Sequence, residues 1–110
     1  SIETSAIIEA IKAGSEKILF QLYEAYRNEF VRWCTRHHQL SEEEAKDAFQ
    51  DAIIALYKNI KAGKTQQIDV SMKTYLFSIG KNIVLNIINR KSIETKVHER
   101  WSRNKSDMQS

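Results

Sequence analysis

The stretch SEEEAKDAFQDAIIALYKNIKAG, residues 41–63, decides how the whole chain reads. Ser41 can accept the backbone N–H of Glu44 while the Glu44 carboxylate reaches back to the N–H of Ser41, a capping box that opens a helix. Glu42, Glu43 and Glu44 place negative charge at the positive end of that helix's dipole. Ala48, Phe49, Ala52, Ile53, Leu56, Tyr57 and Ile60 then recur at helical steps and cover one inward half. Gly63 supplies the stop. The opposite stripe is Asp47, Gln50, Asp51, Ile54 and Lys58, all within about 100° of one another at 3.6 residues per turn. Such a stripe is either a solvated face with one stray isoleucine or a docking surface for a basic partner helix. Taken alone it leaves both open.

Helices are expected on both sides. From Glu16 to about His37 the apolar positions are Leu19, Leu22, Tyr23, Tyr26, Phe30, Trp33 and Cys34, again three or four apart. A short first helix, about Ser5 to Ala13, carries Ile7, Ile8 and Ile11, with Gly14 as its C-terminal cap and Ser15 as the next N-cap. Downstream, Gly63 to Val70 (GKTQQIDV) has no helical period and reads as a loop. Ser71 is the following N-cap, and Met72, Tyr75, Leu76, Ile79, Ile83 and Ile87 form the stripe of a last helix reaching about Lys91 or further. The polar segment from about Ser102 is expected to fray. The reading is an all-α bundle of three to four helices over residues 1–101, with 102–110 a polar tail or linker.

Composition agrees. The 110 residues include no proline and only three glycines, where average usage of about 5% and 7% describes ordinary domains. That deficit excludes turn-rich β architectures. No apolar run approaches the roughly 20 residues of a membrane span, and no secretory signal is visible. A lone cysteine, Cys34, makes no internal disulfide and favours a reducing compartment. The net charge of +3 is uneven: residues 1–60 hold seven Lys/Arg against ten Asp/Glu, and residues 81–110 hold seven against three. Two different surfaces are implied. The basic end is either a solvated helix terminus or a nucleic-acid contact.

Catalytic signals are missing: there is no glycine-rich phosphate loop, and the acidic pairs are accounted for by the cap. Cys34, His37 and His38 lie close in sequence, but Cys34 suits the core and His98 is remote, so no metal or other cofactor is expected. Trp33, Tyr23 and Phe30 read as core. Trp101 is open between capping the core, stacking on DNA and packing on another protein.

Three segments carry a resemblance. Residues 45–60 (AKDAFQDAIIALYKNI) are similar to region 2 of bacterial sigma factors of the extracytoplasmic-function class, whose pattern runs small residue, two acids, two apolars, Gln-Glu, then apolars and Leu-Trp-Arg/Lys-Asn-Leu. Leu22-Tyr23-Glu24-Ala25-Tyr26-Arg27 resembles the family's Leu-Tyr-x-x-Tyr-Arg. Tyr75-Leu76-Phe77-Ser78-Ile79-Gly80-Lys81-Asn82 resembles its Trp-Leu-Tyr-x-Ile-Ala-Arg-Asn. The chain departs from the pattern at Lys46, where a second acid is usual, at Asp51, usually Glu, and at Asn86, often an acid.

The resemblance implies a non-catalytic, cytoplasmic bacterial transcription-initiation module. Its third helix would bind the clamp coiled coil of the RNA polymerase β′ subunit through Asp47, Gln50 and Asp51, with Ile54 and Lys58 on the same stripe. The loop and last helix would engage the −10 promoter element, the loop capturing an unstacked base of the non-template strand. Lys64, Gln66, Gln67 and Ser71 fall in that loop; Ser78, Lys81, Asn82, Asn86, Arg90 and Lys91 fall on the helix, the cations facing phosphate. An anti-sigma factor is a family-level partner, and the tail would lead toward a separate promoter-binding domain. The other reading is a helical protein-interaction module of the same shape without promoter binding, which Lys46 and Asn86 keep open.

Overall fold

A computed structural model describes residues 4–64 and 70–109, with side chains to residue 105. Among the described residues four helices follow one another: α1 (Thr4–Lys12), α2 (Glu16–His37), α3 (Glu42–Lys61) and α4 (Met72–Gln109). Each boundary has a local cause. Gly14 takes φ +89°, the left-handed region that lets α1 stop without a side-chain clash. Ser15 Oγ accepts the N–H of Ile18 at 3.4 Å to start α2. The capping box forms in full, with Glu44 N–H donating to Ser41 Oγ and Ser41 N–H to Glu44 Oε1, both at 3.1 Å. Leu40 and Ala45, both buried, hold the two positions of a hydrophobic staple around it. Ser71 Oγ accepts the N–H of Thr74 at 3.2 Å and opens α4.

Helix α3 is the axle, touching each of the other three. Its inward half is buried at Ala48, Phe49, Ala52, Ile53, Leu56 and Ile60, whereas Tyr57, expected in the same set, sits at the edge of the core and is only half-buried. Phe30 from α2 is fully buried and stacks on Phe49 at 4.9 Å, while Phe77 from α4 meets it edge-on at 5.6 Å. Aromatic pairs in these geometries contribute beyond simple area burial. The fold is therefore the small all-α bundle expected from sequence.

Two further details differ from the sequence reading. The buried line of α4 is Met72, Leu76, Gly80 and Val84, whereas Tyr75, Ile79, Ile83 and Ile87 flank it half-buried. Gly80 is the reason. A Cβ there would lie 2.5 Å from Phe30 Cε1, so the bare backbone lets the ring in and turns the helix toward it. Secondly, α4 continues past Lys91, as the reading allowed, but runs on through 102–109 to Gln109, where fraying was expected. No proline or glycine follows Gly80, so nothing breaks a helix that is already nucleated. This rod gives a radius of gyration of 18.5 Å, against roughly 13 Å for a compact chain of this length.

Candidate interaction surfaces

The outward stripe of α3 exists as one surface. Asp47, Gln50, Asp51, Ile54 and Lys58 are all exposed, Ile54 at 47%. Their orientation is fixed from behind, because the sealed inner half of α3 cannot rotate without opening the core. None of the five makes a side-chain hydrogen bond or ion pair with another described residue. Two carboxylates four residues apart with an amide beside them can receive arginine forks from a facing helix.

The two flanks of this stripe are different. On one side Glu44 ion-pairs with Lys91 and Asn59 Nδ2 donates to Tyr75 Oη at 3.1 Å, so α3 is tied to α4. The Glu44 carboxyl is held below its ordinary value by the Lys91 ammonium and then by the Ser41 N–H. On the other side α3 borders α2 across a groove of about 480 Å³ that includes Lys46.

The outer face of α4 gathers Ser78, Lys81, Asn82, Asn86 and Asn89, all exposed. Lys81 Nζ lies 5.4 Å over the Trp33 ring, and Ser78 Oγ donates to the Tyr75 carbonyl at 2.7 Å. Sequence reasoning missed Lys73, Thr74 and Phe77, which share a groove of about 310 Å³ with Ser78 and Lys81. Lys73 Nζ binds Glu29 at 2.8 Å and sits 5.5 Å over the Phe77 ring. The four-residue steps 73, 77 and 81 were a signal that would have placed these three side chains together.

The remaining expected contacts divide. Arg90 is exposed, but Lys91 is engaged by Glu44, and the Ser71 hydroxyl is used by its cap. Lys64 is exposed beside Gly63; Gln66 and Gln67 lie outside the described residues. Trp101 is 62% exposed, so it does not cap the core, and Lys105 Nζ lies 5.4 Å over its ring. Cys34 is sealed, and burial pushes its thiol up to about 11. His38 meets Trp33 edge-on at 4.7 Å, and no group of three metal-ligating side chains occurs among the described residues.

A family model described as Sigma-70 region 2 matches residues 22–93, from the first turns of α2 into the projecting part of α4. The chain belongs to the sigma-70 region 2 family. No curated protein and no solved structure matches it. As a sigma-70 region 2 domain it serves transcription initiation, binding RNA polymerase and promoter DNA, and the family is a non-catalytic one. Helix α1 precedes the matched stretch yet packs Ile7 and Ile11 into the same core. No helix of this sigma-70 region 2 domain is long and apolar enough to cross a membrane, among the described residues.

Proposed function

We propose that this chain is region 2 of an extracytoplasmic-function sigma factor, working in the bacterial cytoplasm, that docks on the β′ clamp coiled coil through the outer stripe of α3. The observation that carries this reading is the core-anchored row Asp47, Gln50, Asp51, unpaired among the described residues, with Ile54 exposed among them. Exposed carboxylates with no internal partner are available to arginines on a facing helix, and Ile54 adds an apolar centre. Lys58 closes the row at its C-terminal end.

The outer face of α4 is the promoter surface in this reading. Asn82 and Asn86 offer donors and acceptors for base edges, while Lys81 and Arg90 supply phosphate contacts that weaken with salt. The segment that links α3 to α4, with Lys64 at its start, receives an unstacked base of the −10 non-template strand. Unstacking costs a few kcal/mol per base, which stacking and hydrogen bonds in a pocket offset. An anti-sigma factor would regulate the module by covering one of these two faces.

The test is direct binding to a β′ clamp coiled-coil peptide and to polymerase core. Asp47→Arg is expected to abolish detectable binding and Gln50→Ala to weaken it. Unchanged affinity in both variants overturns the assignment. For the promoter face, single-stranded −10 non-template DNA added to core should bind more tightly when this chain is present.

A further inference from the structure

We propose that the groove between α2 and the first turns of α3 is a carboxylate-receiving subsite, filled by an acidic side chain of the same polymerase helix that lies on the α3 stripe. The inference rests on that stripe being the polymerase face. Arg27, Asn28, Arg32, Thr35, Glu42 and Lys46 line the groove, an open surface depression of about 480 Å³. Three cations and one carboxylate line it, and of the cations Arg27 is already paired with Glu24 outside the groove, so Arg32 and Lys46 carry the unneutralised charge.

The groove is prepared for an anion. Arg27 is held by Glu24 at 3.3 Å and lies 5.4 Å over the Tyr23 ring, so its guanidinium is already oriented. Arg32 and Lys46 form no ion pair among the described residues. Glu42 stands four residues before Lys46, the favourable order for a helix pair, yet the two are not joined. Arg27 and Lys46 are half-buried, which lowers the screening that an exposed pair would suffer. Thr35 Oγ1 donates to the Arg32 carbonyl, leaving the side-chain N–H groups of Arg27, Asn28, Arg32 and Lys46 as the donors.

Position decides between a protein carboxylate and a nucleic-acid phosphate. Lys46 is adjacent to Asp47 in sequence and one turn before Gln50, so an extended partner helix laid on the stripe passes the mouth of the groove. A polyanion following the same path would meet Asp47, Asp51 and Glu43, all exposed, and be repelled. A facing helix that alternates arginine with glutamate or aspartate satisfies both signs at once. The subsite therefore selects partners by register as well as by charge.

Binding of the full chain to polymerase core at low and moderate salt tests this. Lys46→Glu and Arg32→Glu are each expected to weaken binding about tenfold, with a reduced salt dependence. Lys46→Gln, which removes charge without creating repulsion toward Glu42, should lose less; circular dichroism checks that the helices persist. An acid-to-lysine change on the β′ clamp helix should restore core binding to Lys46→Glu and leave the Asp47→Arg defect in place. Undiminished core affinity in Lys46→Glu and Arg32→Glu overturns the subsite, while an Asp47→Arg defect in the same experiment keeps the polymerase face. A loss of affinity for a promoter duplex in Arg32→Glu, with core affinity intact, also overturns it and makes the occupant a phosphate.

Discussion

The two halves of α4 are one continuous helix in two environments. Up to Ile88 its side chains alternate between buried and exposed with the helical period, and Met72, Leu76, Gly80 and Val84 touch the core. From Asn89 to Lys105 every residue is exposed, including Ile93, Val97 and Trp101. Helicity and burial are thus separable. In the first half tertiary packing selects the rotation of the helix; in the second, extension adds hydrogen bonds without a second nucleation cost. Lys91, engaged by Glu44, marks the last tie to the bundle among the described residues.

The comparison breaks first at Phe30. Phe30→Ala should lower stability by about 3–5 kcal/mol in chemical denaturation, because the ring fills the centre shared by α2, α3 and α4. Cys34, whose sealed thiol is pushed up to about 11, gives a second readout: its modification by a thiol reagent should accelerate sharply in that variant.

A smaller loss is expected from Gly80→Ala. The new methyl would lie 2.5 and 2.8 Å from two Phe30 ring atoms, and overpacking of this kind costs roughly 1–3 kcal/mol, offset in part by about 1 kcal/mol of helix propensity. Adding Phe30→Leu to Gly80→Ala should cost less than the separate losses summed, which a double-mutant cycle measures.

The tie at Lys91 is sharpened by pH. The Glu44 carboxyl should titrate below its ordinary 4.5, chiefly because of Lys91, and should move back upward in Lys91→Ala. A carboxyl whose folded value is lowered stabilises the fold fully above the unfolded value. That contribution is lost as pH falls through the lowered one. Acid unfolding of Lys91→Ala should therefore show a smaller pH dependence, as followed by circular dichroism. Last, Val97→Ala and Trp101→Ala should each change global stability by less than about 0.5 kcal/mol, since neither side chain touches the core.

Much of this architecture was legible because its signals are local. Ser15, Ser41 and Ser71 announce their helices by side-chain chemistry within four residues, and the inner half of α3 follows from period alone. The outer stripe of α3 was legible for the same reason, being the complement of the part that must be buried. The rotation of α4 was not, because it depends on a contact between Phe30 and Gly80 fifty residues apart. Nor was the fate of Lys91, which needed the start of α3 to be brought beside it. The groove of Arg27, Arg32 and Lys46 belongs to this class as well: residues from two helices meet there, and neither helix shows it alone.

The uninterrupted course of α4 past Gly80 has a mechanical consequence. Lys96, Arg100 and Arg103 have no anchor of their own, so the compass bearing of each is dictated by where the shaft is clamped upstream. One residue inserted near Ser92 would swing all of them by about 100° and advance them by about 1.5 Å, with composition almost unaltered. Over this span, counting residues is the same as setting an angle.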